Sequence, residues 1–70
     1  MSRLGQVWQL TLSGGWAVYV IVEEREEGCG CLGRVIETPP SCEYLIGYVV
    51  MLPEVWFQGE GAARGVSRLA

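Results

Sequence analysis

The sequence contains no histidine, and this absence removes much of the chemistry open to a small protein. Histidine is the commonest general base near neutral pH and a frequent metal ligand. Lysine is absent too: the five cations are all arginines, set against eight acidic residues, which gives a net charge of −3. Proteins that bind nucleic acid usually carry a clustered basic excess. The composition therefore predicts a protein that is not an enzyme, and it disfavours nucleic acid as the partner.

A long apolar segment is also absent. The longest apolar runs, residues 16–22 and 44–52, fall well short of the roughly 20 residues that a membrane helix needs. The N-terminal residues contain no apolar stretch of the kind that precedes a signal-peptide cleavage site. The three cysteines are an odd number, which does not suit the disulfide framework of a small secreted domain. These absences predict no membrane partner and a cytoplasmic location.

Apolar side chains, by contrast, are in excess. Of the 70 residues, 50% are hydrophobic and only 19% are charged. A chain of this length forms one small domain, and folding buries only about 60% of the surface that the unfolded chain exposes. The excess therefore predicts a buried interface, formed with another protein or with a second copy of the chain as a homo-oligomer. A compact barrel that exposes a few apolar side chains is the alternative.

The apolar residues of the first half recur with period two, which is typical of strands. Residues 7–13 form a half-buried strand, and residues 16–24 form a second strand that is apolar on both faces. The Gly14-Gly15 pair between them predicts a two-residue hairpin loop that places Ser13 opposite Trp16. The hairpin then has one wholly apolar face, which we take as the core face, made by Trp8, Leu10, Leu12, Ala17, Tyr19 and Ile21.

Two further strands are predicted at residues 31–38 and 43–52, separated by a proline-containing loop. Gly33 and Gly47 lie inside these strands, where glycine usually marks a bend or a bulge. Small barrels need such bends in order to close. The predicted fold class is therefore all-β: a small antiparallel meander that closes into an SH3-like barrel of four to five strands.

The C-terminal part of the sequence has a less regular pattern. Residues 55–57 can form a short 3₁₀ turn or a brief fifth strand. We assign residues 1–61 to the barrel and residues 62–70 to a C-terminal tail that forms a short turn or helix. Gly65 would destabilise that helix by about 1 kcal/mol. Its apolar side would consist of Ala62, Ala63, Val66, Leu69 and Ala70.

The stretch GQVWQL, Gly5–Leu10, followed by an apolar strand, resembles the opening of the PemK/MazF-type toxins, which are SH3-like barrels that cut RNA. The likeness covers about six residues, and strand alternation also produces such a pattern. In that family a longer, arginine-bearing loop follows the first strand and helps to form the active site, whereas here the loop is only Gly14-Gly15. The resemblance therefore supports the barrel and transfers no site. An RNA-binding or toxin-like RNase barrel remains an alternative, and it would bind RNA with strong salt dependence.

The stretch EEREEGCGCLG, residues 23–33, raises the possibility of a metal or redox module on Cys29 and Cys31. The spacing of one residue and the missing histidine do not suit a structural zinc site. If the third and fourth strands form a hairpin, Cys31 and Cys42 lie about 23 Å apart, which is too far for a disulfide. We therefore predict no cofactor and interpret the stretch as a polar turn, while the metal or redox module stays an alternative.

The favoured function is a non-catalytic protein–protein interaction module. Small acidic domains of this kind suit accessory or inhibitor proteins, including those encoded by phages and mobile elements, which act by binding a partner and covering its surface. The contacts are predicted at Trp16, Arg34 and Trp56, since aromatic and arginine side chains dominate interface energies. Glu24 and Glu27 would steer a basic partner surface toward the site.

Overall fold

The computed structural model describes residues 2–26 and 28–70 of the chain. The strands are β1 (Val7–Leu12), β2 (Gly15–Glu24), β3 (Cys31–Glu37), β4 (Val49–Leu52) and β5 (Gly65–Arg68). A 3₁₀ helix, Pro40–Leu45, lies between β3 and β4, and one helical turn, α1 (Glu54–Phe57), follows β4. The strands form one antiparallel sheet in the order β4-β3-β2-β1-β5. The all-β prediction is confirmed.

The register of the first hairpin differs from the predicted one. Ser13 does not pair with Trp16; Leu12 pairs with Gly15, so the two-residue loop is Ser13-Gly14. Gly15, the first residue after the loop, has a positive φ of 127°, whereas Gly14 does not have a positive φ. The loop therefore begins one residue earlier than predicted. Each β1 residue consequently pairs with a β2 residue two positions earlier than predicted. Because side chains alternate with period two, this shift leaves every side chain on its predicted face.

The fourth strand is shorter than the predicted 43–52, because the first part of that range belongs to the 3₁₀ helix, which is kinked at Cys42. Pro40 stands at the start of this helix, where its fixed φ is favourable and its missing N–H leaves no bond unmade. Gly47, with a φ of 98°, then turns the chain into β4. The predicted bend at this glycine thus precedes the strand instead of lying within it.

The C-terminal residues form a strand and not the predicted helix. β5 pairs with the outer edge of β1, where Val66 lies opposite Leu10. The Arg64 N–H donates to the carbonyl of Thr11 at 2.6 Å and guides the chain into this pairing. A helix of so few residues is unstable alone, whereas the strand shares the hydrogen bonds of an existing sheet. Residues 62–70, predicted as a tail, therefore contribute the fifth strand.

The sheet is open, since β4 and β5 are its two edges, and the predicted closure into a barrel does not occur. The accessible surface is nevertheless 4377 Å². A compact protein of this mass is expected to expose roughly 4300 Å². The chain is therefore fully compact, and the apolar surface that it exposes does not result from loose folding.

The core lies on the face that the alternation of the hairpin predicts. Gly33 makes space for it, because a Cβ there would lie 2.7 Å from Cδ1 of Leu52 and 3.1 Å from Cβ of Tyr19. The β2–β3 pairing shifts register after Val18 and after Ile21, and such bulges bend a strand and increase its twist. The buried cluster consists of Leu10, Ala17, Tyr19, Ile21, Cys31, Val35 and Leu52.

An arginine near the N-terminus fastens α1 to the sheet. Arg3 donates two hydrogen bonds to the carboxylate of Glu54, both at 2.7 Å. Its guanidinium lies 4.3 Å from the ring centroid of Phe57, which packs edge-on against Trp8 with the ring centroids 5.0 Å apart. Two-pronged pairing with a carboxylate and stacking on an aromatic ring both suit the planar guanidinium. The hydrogen bonds from Arg3 hold the pKa of the Glu54 carboxyl below its ordinary value, against the opposing effect of burial.

This ion pair predicts an acid-sensitive contribution to stability. The folded state lowers the pKa of Glu54, so the contribution is present above the unfolded pKa of about 4.3 and is lost as the pH falls through the folded pKa. We expect Arg3→Gln to lower the free energy of unfolding by about 1 kcal/mol at neutral pH, since the pair is partly exposed. Urea unfolding of both proteins at neutral pH and at pH 3 should show that the difference between them shrinks in acid. An unchanged difference would assign the effect to packing on Phe57 instead.

Candidate functional site

The face of β2–β4 opposite the core, here called the outer face, carries apolar side chains that the described part of the chain leaves open to solvent. Alternation places residues of β2, β3 and β4 on it, and Val22 and Ile36 stand where the β2–β3 pairing shifts register. A contiguous exposed apolar patch on a small soluble domain is typical of an interaction site. Its most exposed apolar members are Val22 at 38%, Ile36 at 42%, Val49 at 45% and Met51 at 46%.

Arg34 lies at the centre of the outer face. It pairs with Val20 of β2 on one side and with Val49 of β4 on the other. Its Nη1 donates to the carbonyl of Gly47 at 3.3 Å, which directs the side chain toward the beginning of β4. No carboxylate of the residues that the structure describes forms an ion pair with it. Arg34 is thus an exposed cation with free hydrogen-bonding capacity within an apolar surface.

The strand beside Arg34, β4, is an edge of the sheet. The Tyr48 carbonyl accepts from the Val35 N–H at 2.9 Å, on the β3 side. Because the backbone alternates along a strand, Val49 and Met51 direct their N–H and C=O groups away from β3. Approaching from that side, a partner would also meet two exposed side chains just before the strand, Ile46 at 45% and Tyr48 at 60%.

The sequence did not single out these edge residues. The run YLIGYVVML is apolar at nearly every position, which is typical of a central strand covered on both faces. Its division into a helix, a turn and a short edge strand depends on contacts made elsewhere. The signal that was available is the absence of any charged residue between Glu43 and Glu54.

The two predicted tryptophan contacts lie apart from the β4 edge. Trp16 is half-buried at the start of β2, opposite Thr11, and lines a groove beside the hairpin loop. Trp56 is half-buried in α1 and packs against the core cluster. A Cβ at Gly61 would lie 3.3 Å from Cδ1 of Trp56, so the following loop covers one side of this indole. Of the three residues predicted to make contacts, Arg34 is the one on the open part of the outer face.

Glu24, one of the two predicted acidic steering residues, lies at the opposite end of the sheet from the first hairpin. Glu24 ends β2 and is exposed, and its Oε1 accepts a hydrogen bond from the backbone N–H of Arg3 at 2.6 Å. It borders a polar cavity of about 370 Å³. Glu27, the other predicted steering residue, lies outside the described residues. The steering role of both residues stays a prediction.

The three cysteines are free thiols in three different environments. Cys29 is exposed in the β2–β3 turn, Cys42 is half-buried in the 3₁₀ helix, and Cys31 is buried in the core with 1% of its surface accessible. Burial raises the pKa of the Cys31 thiol, against the opposing effect of the positive charge of Arg3. Within residues 2–26 and 28–70, no group of three Cys, Asp or Glu side chains is placed to hold a metal ion.

Comparison of this chain with protein-family models, with curated proteins and with solved structures found no match. None of the helices in the described part of the chain has the length and apolar character needed to cross a bilayer.

Proposed function

We propose that this chain is a non-catalytic protein-binding module that accepts an extended segment of another protein along the open edge of β4. The observation that carries the proposal is an unprotected sheet edge directly beside Arg34. Addition of a strand to a sheet edge obtains affinity from main-chain hydrogen bonds and specificity from the side chains that alternate on either face. Binding would cover the captured segment, in keeping with an accessory or inhibitory role of the kind found in phages and mobile elements.

The composition of the edge supports this proposal. Natural sheets protect their edges with charged side chains, proline or bulges, because unpaired strands otherwise recruit other chains. β4 has none of these within its four residues, VVML, and Pro53 follows only after the strand has ended. The other edge strand, β5, ends in the charged residue Arg68. An edge left unprotected while the other carries a charge is typical of a strand that has a partner.

The partner segment has a predictable chemistry. Its side chains on the outer face would extend the apolar surface of Val49 and Met51, so that apolar residues at alternate positions are expected. One acidic residue among them would meet the guanidinium of Arg34, whose donors can bind a carboxylate bidentately. A second copy of this chain fits less well, because β4 offers no carboxylate to pair with Arg34.

The SH3-like assignment of the fold forms part of the same proposal. Its support is an antiparallel meander of strongly bent strands, with the last strand returned beside the first. We infer that such a sheet is related to the predicted barrel, with β4 and β5 as its two unpaired edges. A captured strand would then pair with one of these edges, β4.

The experiment that tests the function is a charge exchange between Arg34 and a synthetic strand peptide. The probe is a seven-residue blocked peptide, Thr-Val-Thr-Glu-Thr-Val-Thr, and its matched control carries Lys in place of Glu. We expect the natural chain to bind the Glu peptide about tenfold more tightly than the Lys peptide, since a charged hydrogen bond contributes about 1.5 kcal/mol. Arg34→Glu should reverse this preference. Isothermal titration calorimetry measures all four affinities.

Two results would contradict the proposal. If both proteins bound both peptides with equal affinity, Arg34 would not discriminate between an acidic and a basic residue in the segment. Undiminished binding to Val49→Lys would show that the edge of β4 is not the site, because a lysine there places a charge on the docking edge. Native mass spectrometry of the chain alone completes the test, since a stable dimer would assign the edge to a second copy.

A further inference from the structure

A groove separate from the β4 edge opens beside the first hairpin. It has a volume of about 400 Å³ and lies between the β1–β2 loop, the 3₁₀ helix and Ala62 of the C-terminal loop. Its lining includes three aromatic residues, Trp16, Tyr19 and Tyr44. None of its lining residues is charged. Its size falls within the range of about 300–1,000 Å³ that is typical of small-molecule sites.

Among the groove residues that carry a polar group, Tyr19 is the most buried. Tyr19 is 94% buried, since 6% of its surface is accessible, yet its hydroxyl makes no hydrogen bond within the described part of the chain. That hydroxyl is not sealed away from solvent either, because no buried side-chain oxygen of the described residues lacks a partner. Tyr19 is one of the residues that line the groove, so a ligand bound there lies close to this side chain. Burial raises the pKa of this phenol, so it remains a neutral donor at physiological pH.

The other buried residue of the groove that carries a hydroxyl differs from Tyr19 in this respect. Thr38 also lines the groove and is buried, at 8% of its surface, but its Oγ1 donates to the carbonyl of Pro39 at 2.9 Å. Its hydrogen-bonding need is met within the chain. A free donor at the wall of a mainly apolar pocket is one of the few polar groups by which such pockets orient a ligand.

We propose that this groove binds an uncharged, planar aromatic molecule that accepts a hydrogen bond from the hydroxyl of Tyr19. The ligand is uncharged because no side chain of the groove would compensate a buried charge. It is aromatic because offset and edge-to-face contacts with the surrounding rings favour a flat ring system. The site shares no residue with the β4 edge, so it is independent of the proposed function.

Two probe molecules of the same shape test whether the ligand must accept a hydrogen bond from Tyr19. Quinoline carries a ring nitrogen that accepts a hydrogen bond, and naphthalene does not. In a titration followed by two-dimensional NMR, both should shift the amide signals of Ala17 and Leu45 and leave those of β4 unchanged. We expect Tyr19→Phe to weaken quinoline binding about threefold to tenfold, the range for one neutral hydrogen bond, and to leave naphthalene binding unchanged.

A second variant tests whether the probes bind in the groove. Ala62 is exposed at the rim, so Ala62→Phe should fold normally and should reduce the affinity for both probes by filling the space. The proposal is overturned if quinoline shifts none of the groove amides, if Tyr19→Phe affects both probes equally, or if Ala62→Phe leaves both affinities unchanged.

Discussion

Gly30→Ala is expected to remove a large part of the stability of the folded protein at neutral pH. A Cβ at this position would collide with the carbonyl oxygen of Leu52, and it would lie 2.8 Å from the nitrogen of Glu54 and 3.0 Å from the carbonyl carbon of Pro53. All three are backbone atoms, which cannot rotate away as a side chain can. Gly30 also has a φ of 94°, which is costly for any residue with a Cβ. We expect a loss above about 3 kcal/mol, from a total of roughly 4–10 kcal/mol for a chain of this length.

Gly28→Ala is the matched control for this substitution. Gly28 has a similar φ of 83°, but a Cβ there would meet no atom within 4 Å. Its replacement should therefore cost only the backbone strain, about 1–2 kcal/mol. Urea unfolding followed by tryptophan fluorescence compares the two variants with the natural chain. Equal losses would mean that the turn does not pack against the end of β4 as the structure shows.

Leu52→Ala is expected to give the second large effect. The side chain of Leu52 has 0% of its surface accessible and belongs to the core cluster. Truncation of a fully buried leucine costs about 2–5 kcal/mol, the sum of lost transfer free energy and the cavity left behind. In a domain this small such a loss approaches the whole stability. The midpoint of urea unfolding should fall sharply, or the variant should be unfolded without denaturant.

Met51→Ala, one residue earlier, is expected to be almost neutral for folding. Met51 faces outward with 46% of its surface accessible, and surface substitutions usually change stability by less than about 0.5 kcal/mol. If the proposed function is correct, it should instead weaken binding of the Glu strand peptide. A larger stability loss for Met51→Ala than for Leu52→Ala would indicate that β4 is shifted by one residue, which exchanges its two faces.

The side-chain faces of the first hairpin could be predicted because they depend only on alternation. The face that carries Leu10 meets the face that carries Ala17 and Tyr19 in any antiparallel pairing that is shifted by an even number of residues. An error of two in the register therefore left the core face unchanged. The position of the loop could not be predicted in the same way. It depends on which residue takes the positive φ, and Gly14 and Gly15 are both able to do so.

The later elements were predicted less well because their patterns are ambiguous. The run from Tyr44 to Leu52 is apolar enough for a strand throughout, but Gly47 divides it between the end of the 3₁₀ helix and β4. Residues 65–68 contain too few apolar positions for the sequence pattern alone to distinguish a helix from a strand. Their structure follows from the free edge of β1, which offers hydrogen bonds only after the first hairpin has formed.

In the candidate site, too, the sequence pattern revealed some residues, while the role of others depends on contacts with distant parts of the chain. A charged residue in the middle of an apolar strand is visible in the sequence, and Arg34 was predicted on that basis. Trp16 and Trp56 are equally visible, but an aromatic residue can serve a core or an interface, and only the packing of neighbours such as Gly61 decides which. The exposure of Val49 and Met51 depends on β4 being the last strand of the sheet.

The amino-acid sequence by itself determined the strand character of this protein, the face on which its core lies and the isolated charge at Arg34. These properties are local, since alternation and turn chemistry act over a few neighbouring residues. Only the tertiary structure decided that the sheet stays open, that the last residues complete it, and that Tyr19 lies buried beside an uncharged groove. These properties depend on which strands find partners, and that choice is made by contacts between residues far apart in the chain.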